Sequence, residues 1–313
     1  MGSSRREFLQ SAAAAGAAAL SLSAFAPGRA VARSSAQPLG AQVLNDNVVQ
    51  ITGLGTNAVL VTGADGALLV DCGPAERSSD LLRLVSRYPG AGRVTQLYNT
   101  HWHYDHTGGN ERLAKAGARI SAHENTKLWL GADFFSDWQG RRYTPRPQAA
   151  WPTQTFYTSG KTTFGKDELV YGYLPRAHTD GDLYLFLPRQ NVLVAGDLVS
   201  VGSYPILDYT TGGWIGGMTD ASKELLEVVN DQTLIVPGTG PVQSRADLKA
   251  QSEMLSTMND RLKGLMRKGI GTDDLVAQPP TKEFDAKWGD PQLFLVNAYR
   301  GLWGHVRELG GIV

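Results

Sequence analysis

The sequence predicts an α/β protein in which two β-sheets are sandwiched between helices. Three observations carry that expectation. β-Branched apolar runs come in two blocks, one near residues 47–73 and one near 168–197. Segments of helical period are interspersed with them. Polar side chains able to bind a metal stand just past the ends of predicted strands, where α/β proteins place their active sites.

The elements follow in chain order. After a loose linker, "RSSAQPLGAQ", the runs "NVVQITGLG", "NAVLVTGADG" and "GALLVDCG" are separated by glycine and Asp-Gly turns, as in consecutive hairpins. "SSDLLRLVSRY" (Ser78 to Tyr88) has leucine and valine at helical spacing, with serines available as caps. "VTQLYNT" is a short strand ending in a cluster of histidines, and "RISAHEN" is strand-like. Residues 131–152 show no period and predict a long loop, whose Phe134, Phe135, Trp138, Tyr143 and Trp151 suit a packed lid. "ELVYGYLP", "DLYLFLP" and "NVLVAGD" are three more strands. "GMTDASKELLEVVND" and "SRADLKAQSEMLSTMNDRLKGLMRKG" are helices flanking the strand "TLIVPG", and "PQLFLVNAYRGLWGHVREL" is a further amphipathic helix.

Lys+Arg and Asp+Glu both total 30 among 313 residues, so the chain is formally neutral. That balance argues against a nucleic-acid partner, which calls for a basic surface. A lone cysteine, Cys72, excludes an internal disulfide and a cysteine-based zinc cluster; its setting after an apolar run is that of a small core-edge side chain.

The first 32 residues stand apart. Ser4-Arg5-Arg6-Glu7-Phe8-Leu9 precedes an alanine-rich run from Ala12 to Ala26, and Ala30-Val31-Ala32 offers a small-residue cleavage site. A basic start, a short apolar centre and a small-residue end make an export signal, and this one resembles a twin-arginine signal. The implied partner is the twin-arginine export machinery. The implied product is a periplasmic or secreted protein, folded before export and without stable membrane insertion. The expected organisation is a signal at residues 1–32 and one domain at 33–313, with a C-terminal helical extension from about residue 244.

"THWHYDHTGG" places three of the chain's six histidines in six residues. At an extended strand end, residues i and i+2 point the same way, so His101 and His103 can converge on one metal. If the chain turns directly afterwards, Asp105 and His106 face a neighbouring point, with Gly108 and Gly109 supplying freedom for the turn. Imidazole and carboxylate together suit zinc, with iron or manganese as alternatives. Further ligands are available at His178 in "PRAHTDGD" and Asp197 in "NVLVAGDLVS". Asp180 and Asp182 could order the loop that carries His178.

"THWHYDHTGG", "AHTDGD", "AGDLVS" and "VPGTGP", in that order, resemble the metallo-β-lactamase fold superfamily over roughly residues 42–245. The resemblance implies a four-layer αββα sandwich with one or two zinc ions at one edge. It implies His101, His103 and His178 on the first metal, Asp105 and His106 on the second, and Asp197 bridging them. Where the superfamily commonly has a histidine in "PGHG", this chain has Thr239, so the second site is expected to be weakened. His305 is an unfavoured substitute, and His123 reads as structural.

In such a site zinc lowers the pKa of a bound water from about 15.7 toward roughly 7 and polarises a carbonyl. Asp105 is the expected catalytic residue, orienting the nucleophile and passing a proton to the leaving group. Trp102 and Tyr104 alternate with the histidines and are expected to pack away from the metal. Tyr204, Asp208 and Tyr209, just after Asp197, are the expected substrate contacts. The function expected is a hydrolase acting on a small cyclic amide, lactone, ester or thioester. A metal-dependent lyase or isomerase, or a metal-binding protein with a degenerate second site, is the alternative class.

Overall fold

The protein is described by a computed structural model covering residues 38–64 and 66–305. The segment expected to be an export signal, and the end of the last predicted helix past residue 305, lie outside the described residues. The first sheet has seven strands in the order β1-β2-β3-β4-β5-β6-β9. These are β1 (Gly40–Asn45), β2 (Val48–Thr52), β3 (Ala58–Gly63), β4 (Gly66–Val70), β5 (Val94–Tyr98), β6 (Arg119–His123) and β9 (Gln154–Phe156). The second sheet runs β10 (Gly160–Phe164), β11 (Asp167–Leu174), β12 (Asp182–Leu187), β13 (Val192–Gly196) and β14 (Leu234–Pro237).

Strand chemistry explains the layering. In β4, Leu68 and Val70 point one way and Ala67 and Leu69 the other, and all four are fully buried. A strand buried on both faces reads as an unbroken apolar run, as "GALLV" does. Leu68 and Val70 join Val59, Val61, Leu185, Leu187, Val194 and Val236 in a core between the two sheets. Leu69 joins Ile51, Leu60 and Leu97 against Leu81 and Val85 of helix α1 (Ser78–Val85) and Leu113. On the far side Leu193, Ala195 and Ile235 pack under α5 (Ile215–Val228), α6 (Arg245–Arg267) and α9 (Gln292–Gly304). Helix, sheet, sheet and helix follow in order, as expected.

Strand direction creates the site. β4 pairs with β5, and β13 with β14, in parallel, so their carboxyl ends open on the same edges of the two sheets. Asp71, the histidine cluster, Asp197 and Gly238 all lie just past these ends.

Two expectations need correction. The segment 131–152 is not one loop: β7 (Phe134–Ser136) and β8 (Arg141–Tyr143) pair as a small hairpin with Trp138 near its tip. Strands of three residues are too short to show a period. Phe134 and Tyr143 pack with Trp102, Leu130 and Trp151, whereas Phe135 is 51% exposed. Gly108 and Gly109 take ordinary right-handed backbone angles, with φ of −57° and −77°. Space matters there, since a Cβ on Gly108 would lie 2.4 Å from the backbone nitrogen of Ala75. Tyr104–Thr107 (α2) and Asn110–Lys115 (α3) form short helices on either side. Among the described residues no helix is long and apolar enough to cross a membrane.

Helix α6 opens with a reciprocal cap in which the Ser244 hydroxyl accepts from the Asp247 N–H and the Asp247 carboxylate accepts from the Ser244 N–H. Ser244→Ala is expected to lower unfolding free energy by about 1 kcal/mol. Chemical denaturation checks this, with metal content unchanged because the cap lies outside the histidine cluster.

Candidate metal centre

Four side chains converge at the opening between the sheets: His101, His103, His178 and Asp197 each offer one ligand atom, all within 4.8 Å of one another. His101 and His178 are 1% exposed and His103 5%, while the Asp197 side chain keeps 23%. Water and ligands therefore reach the cluster from the Asp197 side.

Hydrogen bonds fix which nitrogen of each ring faces inward. The His178 Nδ1–H donates to the Ile206 carbonyl at 2.8 Å, leaving Nε2 as an acceptor. The His103 Nε2–H donates to Asp208 Oδ2 at 3.1 Å, leaving Nδ1 as an acceptor. Thr100 commits its hydroxyl hydrogen to Asp71 Oδ2 at 2.7 Å, so its oxygen accepts from His101 Nδ1 at 3.0 Å and His101 Nε2 keeps its lone pair. Three lone pairs thus meet at one point. His103 Nδ1 and His178 Nε2 lie 3.1 Å apart, and Asp197 Oδ2 is 3.5 Å from His178 Nε2 and 3.8 Å from His101 Nε2. His101 Nε2 is buried with no hydrogen-bond partner. Ligand atoms about a tetrahedral zinc at 2.0–2.1 Å stand roughly 3.3 Å apart. The donor set and its spacing therefore fit a divalent metal.

His106 stands beside this group. Its Nδ1–H donates to Asp71 Oδ2 at 2.8 Å, and its Nε2 lies 3.3 Å from Asp197 Oδ1. Burial opposes its protonation, but Asp197 and Asp71 outweigh that and hold its pKa well above the ordinary histidine value. A proton and a metal would compete for the same lone pair. Asp105 is exposed in the first turn of α2 and lies outside the converging four. Its carbonyl accepts from the Thr56 hydroxyl at 2.8 Å.

Thr239 is exposed and lines a cavity of about 250 Å³ together with Asp197, Ser200 and Val201. Its position at the Asp197 side follows from Gly238, where an added Cβ would lie 1.9 Å from Asp197 Oδ1 and 3.0 Å from His106 Cε1.

Two of the expected substrate contacts, Asp208 and Tyr204, already have protein partners. Asp208 is fully buried, and its carboxylate accepts from His103, from the Thr211 hydroxyl at 2.7 Å and from Trp138 Nε1 at 2.8 Å. No oxygen is left facing solvent, so Asp208 orients His103. Burial would raise its pKa, but the hydrogen bond from His103 outweighs that and holds it below the ordinary carboxylate value. Tyr204 is 5% exposed; its hydroxyl donates to Asp285 at 2.8 Å and its ring stacks on Phe294 at 5.0 Å. Tyr204 also lines the cavity that holds Asp197 and Thr239. Tyr209 sits at a separate cleft, where its hydroxyl accepts from Arg300 at 2.7 Å.

Other placements agree with expectation. Trp102 is buried and donates to Thr211 at 3.0 Å. Asp182 accepts from the His178 and Thr179 N–H groups at 2.7 and 2.9 Å, tying the ligand loop, and burial pushes its pKa up to about 7. His305 stacks on Trp214 at 4.1 Å and His123 on Tyr173 at 3.8 Å, so both are structural. Cys72 is buried, with Sγ 3.3 Å from the His106 carbonyl, and burial pushes its thiol well up, which suits packing and not attack.

Asp71 was missed. It is 2% exposed and takes φ of +58°, in the left-handed region that costs a non-glycine residue about 1–3 kcal/mol. That turn lets one carboxylate hold the Thr100 N–H at 2.9 Å, the Thr100 hydroxyl and His106. Its signal in the sequence was a single charge ending the apolar run "GALLV".

A four-layer sandwich with a histidine–aspartate cluster at the strand ends defines a metal-site α/β protein. The profile described as the Metallo-beta-lactamase superfamily matches residues 51–239, and the chain belongs to that superfamily. A type 2 metallo-β-lactamase from Bacillus cereus is 24% identical over 221 residues, 68% of this chain and 80% of that protein. One from Elizabethkingia meningoseptica is 21% identical over 218 residues, 69% of this chain and 82% of its own length. Among solved structures, a metallo-β-lactamase from Pontibacter korlensis aligns with a TM-score of 0.57 and 22% identity, over 70% of this chain and 99% of its own. The stereoselective inverting sec-alkylsulfatase Pisa1 from Pseudomonas sp. aligns with a TM-score of 0.63 and 18% identity, over 87% of this chain and 50% of its own.

Two substitutions test the support of the cluster. Asp208→Asn is expected to weaken zinc binding about 10- to 100-fold, read by chelator competition. Gly238→Ala is expected to displace Asp197 and lower bound metal, while Gly264→Ala, whose Cβ would meet open space, leaves it unchanged.

Proposed function

We propose that this chain is an exported, zinc-dependent hydrolase acting on a cyclic amide, lactone, ester or thioester of a small organic molecule. The observation that carries the reading is the convergence of three buried imidazole lone pairs on Asp197, with superfamily membership beside it. His101 Nε2, His103 Nδ1 and His178 Nε2 would hold the first metal, with Asp197. His106 Nε2, Asp197 and Asp105 would serve a second. Bound there, the metal would supply Lewis acidity toward a carbonyl oxygen and a lowered pKa for water.

The chain's own groups do the rest. Asp71, Asp208 and the Ile206 carbonyl hold the rings so that little reorganisation is needed when charge develops. Asp105, exposed in the first turn of α2, would accept a proton and return it to the leaving group. Tyr209, on the cleft next to the site, would contact substrate. The longer structural alignment is to a sec-alkylsulfatase, which adds sulfate esters to the substrates worth testing.

Elemental analysis of the purified chain, with a panel of chromogenic β-lactam, lactone, ester, thioester and sulfate-ester substrates, tests the reading. One tightly held zinc and turnover on at least one substrate, abolished by chelation, are expected. Tight metal with no turnover on any class would favour a lyase or a metal-binding protein. Thr239→His is expected to raise the metal content per chain; unchanged stoichiometry would remove Thr239 from the second site. For export, Arg5→Lys together with Arg6→Lys is expected to retain the protein in the cytoplasmic fraction.

A further inference from the structure

A cleft of about 510 Å³ opens between the tip of the β7–β8 hairpin and helix α9. That size lies within the range of small-molecule sites. Its lining sets Trp138, Tyr209, Val276, Leu293 and Val296 beside the polar Gln292 and Asn297. Leu293 is 45% exposed, an apolar side chain left open to solvent.

The cleft is linked to the metal centre by one side chain. Trp138 lines the cleft, and its Nε1–H donates to Asp208 Oδ1 at 2.8 Å, the carboxylate that orients His103. The Trp138 and His103 rings are 6.1 Å apart. A group stacked on Trp138 therefore lies one residue's width from a candidate metal ligand. The opposite wall belongs to Val276 and α9, beyond the stretch 51–239 matched by the superfamily profile. It is a contribution of this chain's C-terminal helices.

Charge at the rim narrows the occupant. Arg300 is already engaged by Tyr209, through a hydrogen bond of 2.7 Å and a ring contact at 5.6 Å. Asp137 and Asp290 are exposed on the same rim. One engaged cation beside two carboxylates gives no field that would draw an anion. Apolar walls with mixed charge at the edge suit a neutral group.

We propose that this cleft receives an uncharged alkyl or aromatic substituent of the substrate, with Trp138 as its inner wall and Leu293 and Val296 as its outer one. The proposal rests on the hydrolase reading, and names the kind of substrate that reading leaves open.

The test has two arms on the full-length mature chain. The first is calorimetric binding of 1-naphthalenemethanol, with 1-naphthoate and 1-naphthylmethylammonium as charged counterparts, to the wild type and to a Leu293→Ser, Val296→Ser double variant. The neutral probe is expected to bind best. The variant is expected to lose about tenfold in affinity, the scale of removing roughly 60 Å² of apolar contact. Its circular dichroism and melting temperature should be unchanged, since Leu293 is exposed and Val296 partly so. Equal binding by the folded variant, or preference for naphthoate, would overturn the proposal.

The second arm compares p-nitrophenyl esters from acetate to octanoate. The KM of the wild type is expected to fall with chain length while that of the variant stays flat. Turnover without this dependence overturns the cleft and spares the hydrolase reading. Binding of the neutral probe with no turnover on any ester, lactam or sulfate supports the cleft and overturns the hydrolase reading.

Discussion

The site depends on one constraint: each imidazole has its outer nitrogen held as a donor, so that its inner nitrogen can only accept. His178 is held by a backbone carbonyl, His103 by Asp208, and His101 by a threonine whose own hydrogen goes to Asp71. Acceptors that face acceptors at 3.1 Å repel in a buried setting, and a cation between them converts that repulsion into binding. The second layer of hydrogen bonds therefore matters as much as the histidines.

That layer is spread over the fold in a way the core makes rigid. Asp71 sits at the end of β4 and the His101 segment at the end of β5, two parallel strands buried on both faces. Asp197 and Gly238 follow β13 and β14, paired in parallel in the other sheet. The apolar layer between the sheets sets the distance between these two pairs, and so the width of the metal site. The left-handed turn at Asp71 is strain that this packing maintains.

The two halves of the cluster are built to different standards. The first gathers three imidazoles and a carboxylate within 4.8 Å. The second has His106 close to Asp197, with Asp105 and Thr239 both exposed to solvent. The aromatic hairpin and the C-terminal helices both line the cleft that holds Tyr209.

Much of this was legible in the chain. Alternating and unbroken apolar runs marked most strands of both sheets, and the i, i+2 spacing of His101 and His103 marked a metal site, because both signals are local. A carboxylate in a loop looks solvated in a sequence, and only packing shows Asp208 buried between His103, Thr211 and Trp138. Asp71 was missed for the same reason, being 35 positions from the histidine it bonds, and the bond from the lid residue Trp138 to Asp208 spans 70. The hairpin 134–143 was hidden by strands too short to carry a period. The sequence by itself determined which residues can bind a metal and the layers that carry them. Only the tertiary structure decided which nitrogen of each ring faces inward, since hydrogen-bond partners distant in sequence set that direction.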